Sequence, residues 1–207
     1  MLCIECFSQK KYKTNIEIFD ESISAGLEKY LYSPDLNRDI QFIFVIDTTD
    51  VNHSEKSDNI NRYLKGLVKR IAASEKIRIS FTDDKNIIKS DSLYNLVVLN
   101  PITLKTTYNG FRKNKFLGQK TINRNIKVLI SINITSTLNS VNISNFINAD
   151  NNDDVDVEYI ENIESSQYEF TQSTPPETGE FESVVFPALL VLASAGVTFL
   201  FFIIRSK

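Results

Sequence analysis

The chain has 207 residues, enough for one ordinary domain with an appended segment or for two small domains. Its 42% hydrophobic and 24% charged residues suit a chain that folds, and they exclude a wholly disordered one. The net charge of −3 conceals three blocks: 21 basic against 15 acidic residues over 1–149, 11 acids and no base over 150–182, and two bases at the very end.

Taken in chain order, the first landmark is a single CxxC, Cys3 and Cys6. A structural zinc site needs four ligands, no second pair exists, and the one histidine, His53, lies far along the chain, so these read as two ordinary thiols. Residues 15–19 suggest a strand and 22–32 a short helix. Residues 40–46 (IQFIFVI) form an apolar run ending at Asp47, the pattern of a buried strand. After a polar loop, Ile60, Leu64, Leu67, Val68 and Ile71 recur at helical spacing behind Ser57 or Asp58 as N-cap. The alternation at 76–81 predicts a strand, and Asp83 and Asp84 start a turn. A further strand at 94–99 is expected to stop at Asn100-Pro101, and 126–134 (IKVLISINI) is the strongest strand pattern. The expectation is a small mixed sheet–helix domain, α/β or α+β, occupying 1–149.

Residues 150–182 are acidic, with few large aliphatics and no helical period. Self-repulsion predicts an extended, solvated and disordered stalk, in which short alternating pieces such as 155–160 could add an edge strand to the domain. Residues 183–204 hold 22 residues without a charge. As a helix they would span about 33 Å, enough for a hydrocarbon core of roughly 30 Å, so a single C-terminal transmembrane helix is predicted. Pro187 then falls near its first turn. Arg205 and Lys207 in the basic tail, 205–207, should stay cytoplasmic, which makes the domain extracellular. The N-terminus shows no basic stretch followed by an apolar one, so the export signal is expected in a longer gene product.

Just before the apolar span stand Pro175, Pro176, Glu177, Thr178 and Gly179. With the span and the basic end that follow, this order resembles the LPxTG-type cell-wall sorting signal of Gram-positive surface proteins. The resemblance covers 175–207 and implies two partners, a sortase and peptidoglycan, besides the membrane through 183–204. In that family the sortase cysteine attacks the carbonyl of the residue matched by Thr178 and splits its bond to Gly179. An amine of the wall precursor then takes the acyl group, so Thr178 is the implied wall attachment and Arg205 and Lys207 the retention tail. Pro175 stands where the family has Leu, which alters the fit to the enzyme's apolar pocket. The chain would be a substrate and not an enzyme, with no cofactor and an adhesive, structural or binding role at the cell surface.

The body carries a second, shorter likeness. Residues 42–49 with the helix and strand after them are similar to the opening of a von Willebrand A domain, whose first strand ends in a metal-binding DxSxS. Asp47 and Thr49 match two positions, but Val51 at the third has no oxygen to offer, so an Asp-initiated turn is the reading and no metal site is assigned. There is no GxxxxGK[ST] or GxGxxG phosphate loop. Basic clusters at 10–13 and 112–115 read as solvated faces, with no nucleic-acid partner expected. Two alternatives stand beside wall anchoring: a tail-anchored or single-pass membrane protein with a cytoplasmic body, and a surface-displayed enzyme.

Overall fold

The computed structural model describes residues 12–49, 54–84, 93–113, 120–176 and 180–205. It divides into two compact units, Met1–Thr174 and Pro175–Lys207.

The first unit opens on a helix, α1 (Asn15–Leu31), where 15–19 had suggested a strand. A capping box decides it: the Thr14 hydroxyl accepts from the Glu17 N–H, and the Glu17 carboxylate accepts from the Thr14 N–H. Phe19, Ile23, Leu27 and Leu31 then fall on one buried face. Strand β1 (Gln41–Ile46) follows as the apolar run requires, and α2 (Ser54–Glu75) starts one turn before the expected caps. Strand β2 (Ile79–Phe81) is short.

Strand β3 (Tyr94–Lys113) runs through Asn100-Pro101 instead of stopping there. Strand β1 ends at its pairing with Leu99, and the Leu99 carbonyl accepts from Asp47 N–H on that side. By strand alternation Pro101 turns its missing N–H to the same side, past the end of β1, where no ladder bond is lost. The β3 register shifts between Pro101 and Thr103 and again at Gly110, whose φ of 56° suits a bulge. Strands β4 (Lys120–Ser136) and β5 (Asn142–Asp156) complete one five-stranded sheet in the order β2-β1-β3-β4-β5. Strands β2, β1 and β3 are parallel neighbours, and β3, β4 and β5 are antiparallel. The mixed α/β expectation is met in this form. Alternate residues of β4, among them Ile126, Val128, Ile130 and Ile132, are fully buried in one core with both helices.

The acidic segment departs from its expectation as a stalk. Residues 150–156 pair with β4 as the second half of β5, and a short 3-10 turn, Val157–Tyr159, and a helical turn, α3 (Ile160–Ile163), follow. Val155, Ile160 and Ile163 are buried, while Tyr168 and Phe170 pack against the main core. The domain therefore ends at Thr174 and not near 149. The physical reason lies in the bases it meets. Arg124 donates through Nε and a terminal nitrogen to the Asp153 carboxylate at 2.7 and 2.5 Å, and Arg112 pairs with Asp154 at 3.4 Å. The repulsion predicted for an isolated acidic run is neutralised by the basic strand beside it.

Candidate functional site

The sorting-type segment belongs to the second unit. Pro175 and Pro176 have no regular secondary structure, while Glu177, Thr178 and Gly179 lie outside the described residues, as does Lys207. Helix α4 (Glu180–Arg205) begins directly after them, and Arg205 is its last residue. Because α4 starts at Glu180, Pro187 sits two turns inside it and not in the first turn. Its ring forfeits one backbone hydrogen bond there.

Large apolar side chains on α4 are exposed in every direction around its axis, among them Leu190 (64%), Phe199 (67%) and Phe202 (70%). Water does not tolerate an apolar surface of this extent on an ordinary globular chain. Its two described hydroxyls bond within the helix: Ser194 Oγ donates to the Val191 carbonyl and Thr198 Oγ1 to the Ser194 carbonyl, both at 2.8 Å. A helix in an apolar medium needs that internal pairing. Among the described residues no helix is long and apolar enough to cross a membrane. In α4 the described side chains are those of 187–203, about 26 Å of helix.

In the first unit, the Asp47 carboxylate accepts from the N–H and hydroxyl of Thr49, at 3.3 and 2.7 Å, the local closure of an Asp-initiated turn. No group of three or more His, Cys, Asp or Glu that could hold a metal occurs among the described residues. Cys3, Cys6, Val51 and His53 lie outside them. In the basic clusters, Lys13 pairs with Glu21 at 2.7 Å and Arg112 with Asp154. Asp83 stands 3.6 Å from Lys65.

The first unit also holds a cleft that no motif announced. Its volume is about 830 Å³, and it opens where β3 runs on beyond the end of β1. Residues 101–106 of β3 form one wall, Asn59 and Ile60 of α2 another, and the end of the domain a third. Thr106 on this lining is 1% exposed, and its hydroxyl has no hydrogen-bond partner among the described residues. Glu164 lines the same space, its carboxylate accepting from the Ser173 N–H at 2.9 Å. Burial pushes the Tyr108 phenol up to about 12, and the Glu164 charge adds to the shift while a hydrogen bond from Asn15 opposes it. Tyr108 therefore stays protonated over the physiological range. The reading of 150–182 as a stalk concealed this cleft, since Glu164 and the residues after it fall in that segment. The alternation of Val155, Val157 and Tyr159 was the available signal.

No family model matches the chain, and no curated protein does. Among solved structures it is similar to one described as a neuraminyllactose-binding hemagglutinin homologue from Helicobacter pylori, at 12% identity over 62% of this chain and 76% of that one. The TM-score is 0.37.

Proposed function

We propose that this protein is a cell-surface protein which a sortase links covalently to peptidoglycan, its body serving a binding or adhesive role outside the membrane. The observation that carries this reading is one of order along the chain. The compact body closes at Thr174, the next five residues are Pro175, Pro176, Glu177, Thr178 and Gly179, and α4 begins at Glu180. That helix contains the 22 uncharged residues and ends on Arg205. The apolar exposure of α4 and its internally bonded hydroxyls support a lipid environment for it.

The reaction follows from acyl-transfer chemistry. The sortase thiolate adds to the Thr178 carbonyl, the bond to Gly179 breaks, and the Gly179 amine leaves with a proton. An amine of the wall precursor then attacks the thioester, forms an amide to Thr178 and releases the thiol. Pro176 bends the approaching chain and Gly179 offers a leaving amine without bulk. Pro175, shorter and stiffer than Leu, fills less of the enzyme's apolar subsite, so processing is slower than for the Leu-containing motif. Residues 179–207, including Arg205 and Lys207, remain in the membrane. The protein contributes no catalytic group; it is the acyl donor.

Thr178→Ala removes the acyl residue the enzyme selects, and it is expected to move the protein from the wall fraction to the membrane fraction. An unchanged distribution would leave the tail-anchored reading, with the body in the cytoplasm, as the one to hold.

A further inference from the structure

Strand β5 plays no part in anchoring, and its geometry stands whether or not the chain is a sortase substrate. Among the described residues it pairs with β4 alone, so its far side is a sheet edge of 15 residues, about 50 Å of extended chain. Two hydrogen bonds show which groups face that edge. The Phe146 N–H donates to the Asn145 side-chain oxygen at 2.8 Å, and the Phe146 carbonyl accepts from the Tyr30 hydroxyl at 3.2 Å. By the alternation of an antiparallel ladder, the N–H and C=O of Ser144, Asn148, Asp150, Asn152 and Asp154 point the same way, and no described residue takes them up. Natural proteins blunt such edges with short strands, bulges, Pro or Lys. The opposite edge, β2, has three residues. In β5 the register with β4 runs unbroken from the Thr121–Asp156 pair to the Thr135–Asn142 pair, and the strand contains no Pro, Lys or Arg.

We propose that this edge is the interface for a second copy of the same chain, the two β5 strands pairing antiparallel about a two-fold axis at Ala149 and merging their sheets. Ala149 is the midpoint of Asn142–Asp156, so this register uses the whole strand. Its N–H points to β4, which makes Ala149 and its copy a non-hydrogen-bonded pair, the kind with the closest Cα approach, about 4.5 Å. The position holds the smallest side chain in the strand. Charge selects the occupant. All four acids of β5 lie after Ala149, and every residue before it is neutral. In the centred register Asp150, Asp154 and Asp156 meet Asn148, Ser144 and Asn142 of the second copy, so each carboxylate finds a side-chain donor. Asp153, on the helix face, keeps Arg124. The Phe146 N–H exchanges the Asn145 oxygen for the carbonyl of Asn152 of the second copy. Shifting the register one way sets Asp150 against its own copy, and shifting it the other way drops Asp156 from the pairing. A parallel, in-register pair would set every acid against itself. An acidic strand of another protein is repelled, and a Lys-rich one matches the acidic half alone.

The test uses the full chain in a zwitterionic detergent, with self-association read by sedimentation equilibrium. A dimer is expected with a Kd of about 1–100 µM. Asn148 is exposed, so its substitution leaves the fold intact. Asn148→Asp places a like charge opposite Asp150 twice per dimer and should weaken it about tenfold, whereas Asn148→Lys should tighten it about fivefold. These shifts separate pairing through β5 from association through α4, which neither variant touches. In a Cys3→Ser, Cys6→Ser background, Ala149→Cys should form a disulfide-linked dimer under mild oxidation, because the facing Cα atoms fall within disulfide reach. Ser144→Cys, about 33 Å along the strand from its own copy, should not. A monomer at about 100 µM, a dimer indifferent to both Asn148 variants, or equal cross-linking through Ser144→Cys and Ala149→Cys would overturn the proposal. Tighter binding of an alternating Lys-Thr peptide than of the second copy would overturn it too, in favour of a basic strand as the occupant.

Discussion

Arg124 is the residue on which the end of the domain turns. It is fully buried on β4 between Ile122 and Ile126, and it spends every donor nitrogen: two on Asp153, and one on the Lys13 carbonyl and the Asn15 side chain, both at 2.8 Å. Asn15 in turn donates to the Tyr108 hydroxyl at 3.1 Å and to the Thr171 carbonyl at 2.6 Å. Five parts of the chain are thereby tied at one point: the start of α1, β3, β4, β5 and the 3-10 turn Glu169–Thr171. Asp153 is nearly half exposed, so it can return to water when unpaired, whereas the guanidinium cannot. Asp153→Ala is accordingly expected to destabilise the protein by about 3 kcal/mol in urea unfolding, and adding Arg124→Met should recover most of the loss. A loss below about 0.5 kcal/mol would mean that the pair contributes no more than an exposed one.

The helices and strands divide by how much of their pattern is local. The apolar run of β1, the helical spacing of α2 and the alternation of β4 were legible because each shows its own period. The start of α1 was not, because its capping box sits on Thr14 and Glu17 while the apolar residues at 16, 18 and 19 mimic a strand. The ends of β3 and β5 were hidden for a different reason: Pro101 is harmless only because β1 stops at Ile46, opposite Leu99, and the acids of β5 are tolerable only beside Arg124 and Arg112. Those are facts about neighbours, invisible along one strand. Gly26 gives the same lesson a measurable form. Intrinsic propensity predicts that Gly26→Ala stabilises α1 by about 1 kcal/mol. The added Cβ, however, would lie 2.4 Å from Ile147 Cγ2 and 3.2 Å from its Cβ, on a stiff buried side chain of β5. Gly26→Ala should therefore lower stability by about 1–2 kcal/mol, and by less in an Ile147→Ala background. Stabilisation in the wild-type background would show that α1 and β5 are not in this contact.

On the scale of the whole molecule, charge misled where composition did not. The three blocks suggested a basic body, an acidic spacer and a basic tail, yet eight of the eleven acids belong to the body, which ends at Thr174. Counting them there turns its formal charge from about +6 to −2. What remains between body and helix is short: Pro175 to Gly179, then α4. The candidate anchoring residues were thus legible as a string of letters, whereas the cleft needed three separated stretches to be folded together. If a sortase anchors this chain, Thr178 becomes the last residue of the mature protein. That outcome is tested most directly by digesting purified cell walls with a muramidase and measuring the C-terminal peptide of the released protein by mass spectrometry. Sortase anchoring predicts a peptide ending at Thr178 and carrying a peptidoglycan fragment in amide linkage, with no peptide from 179–207. A mature protein that retains Lys207 would contradict it.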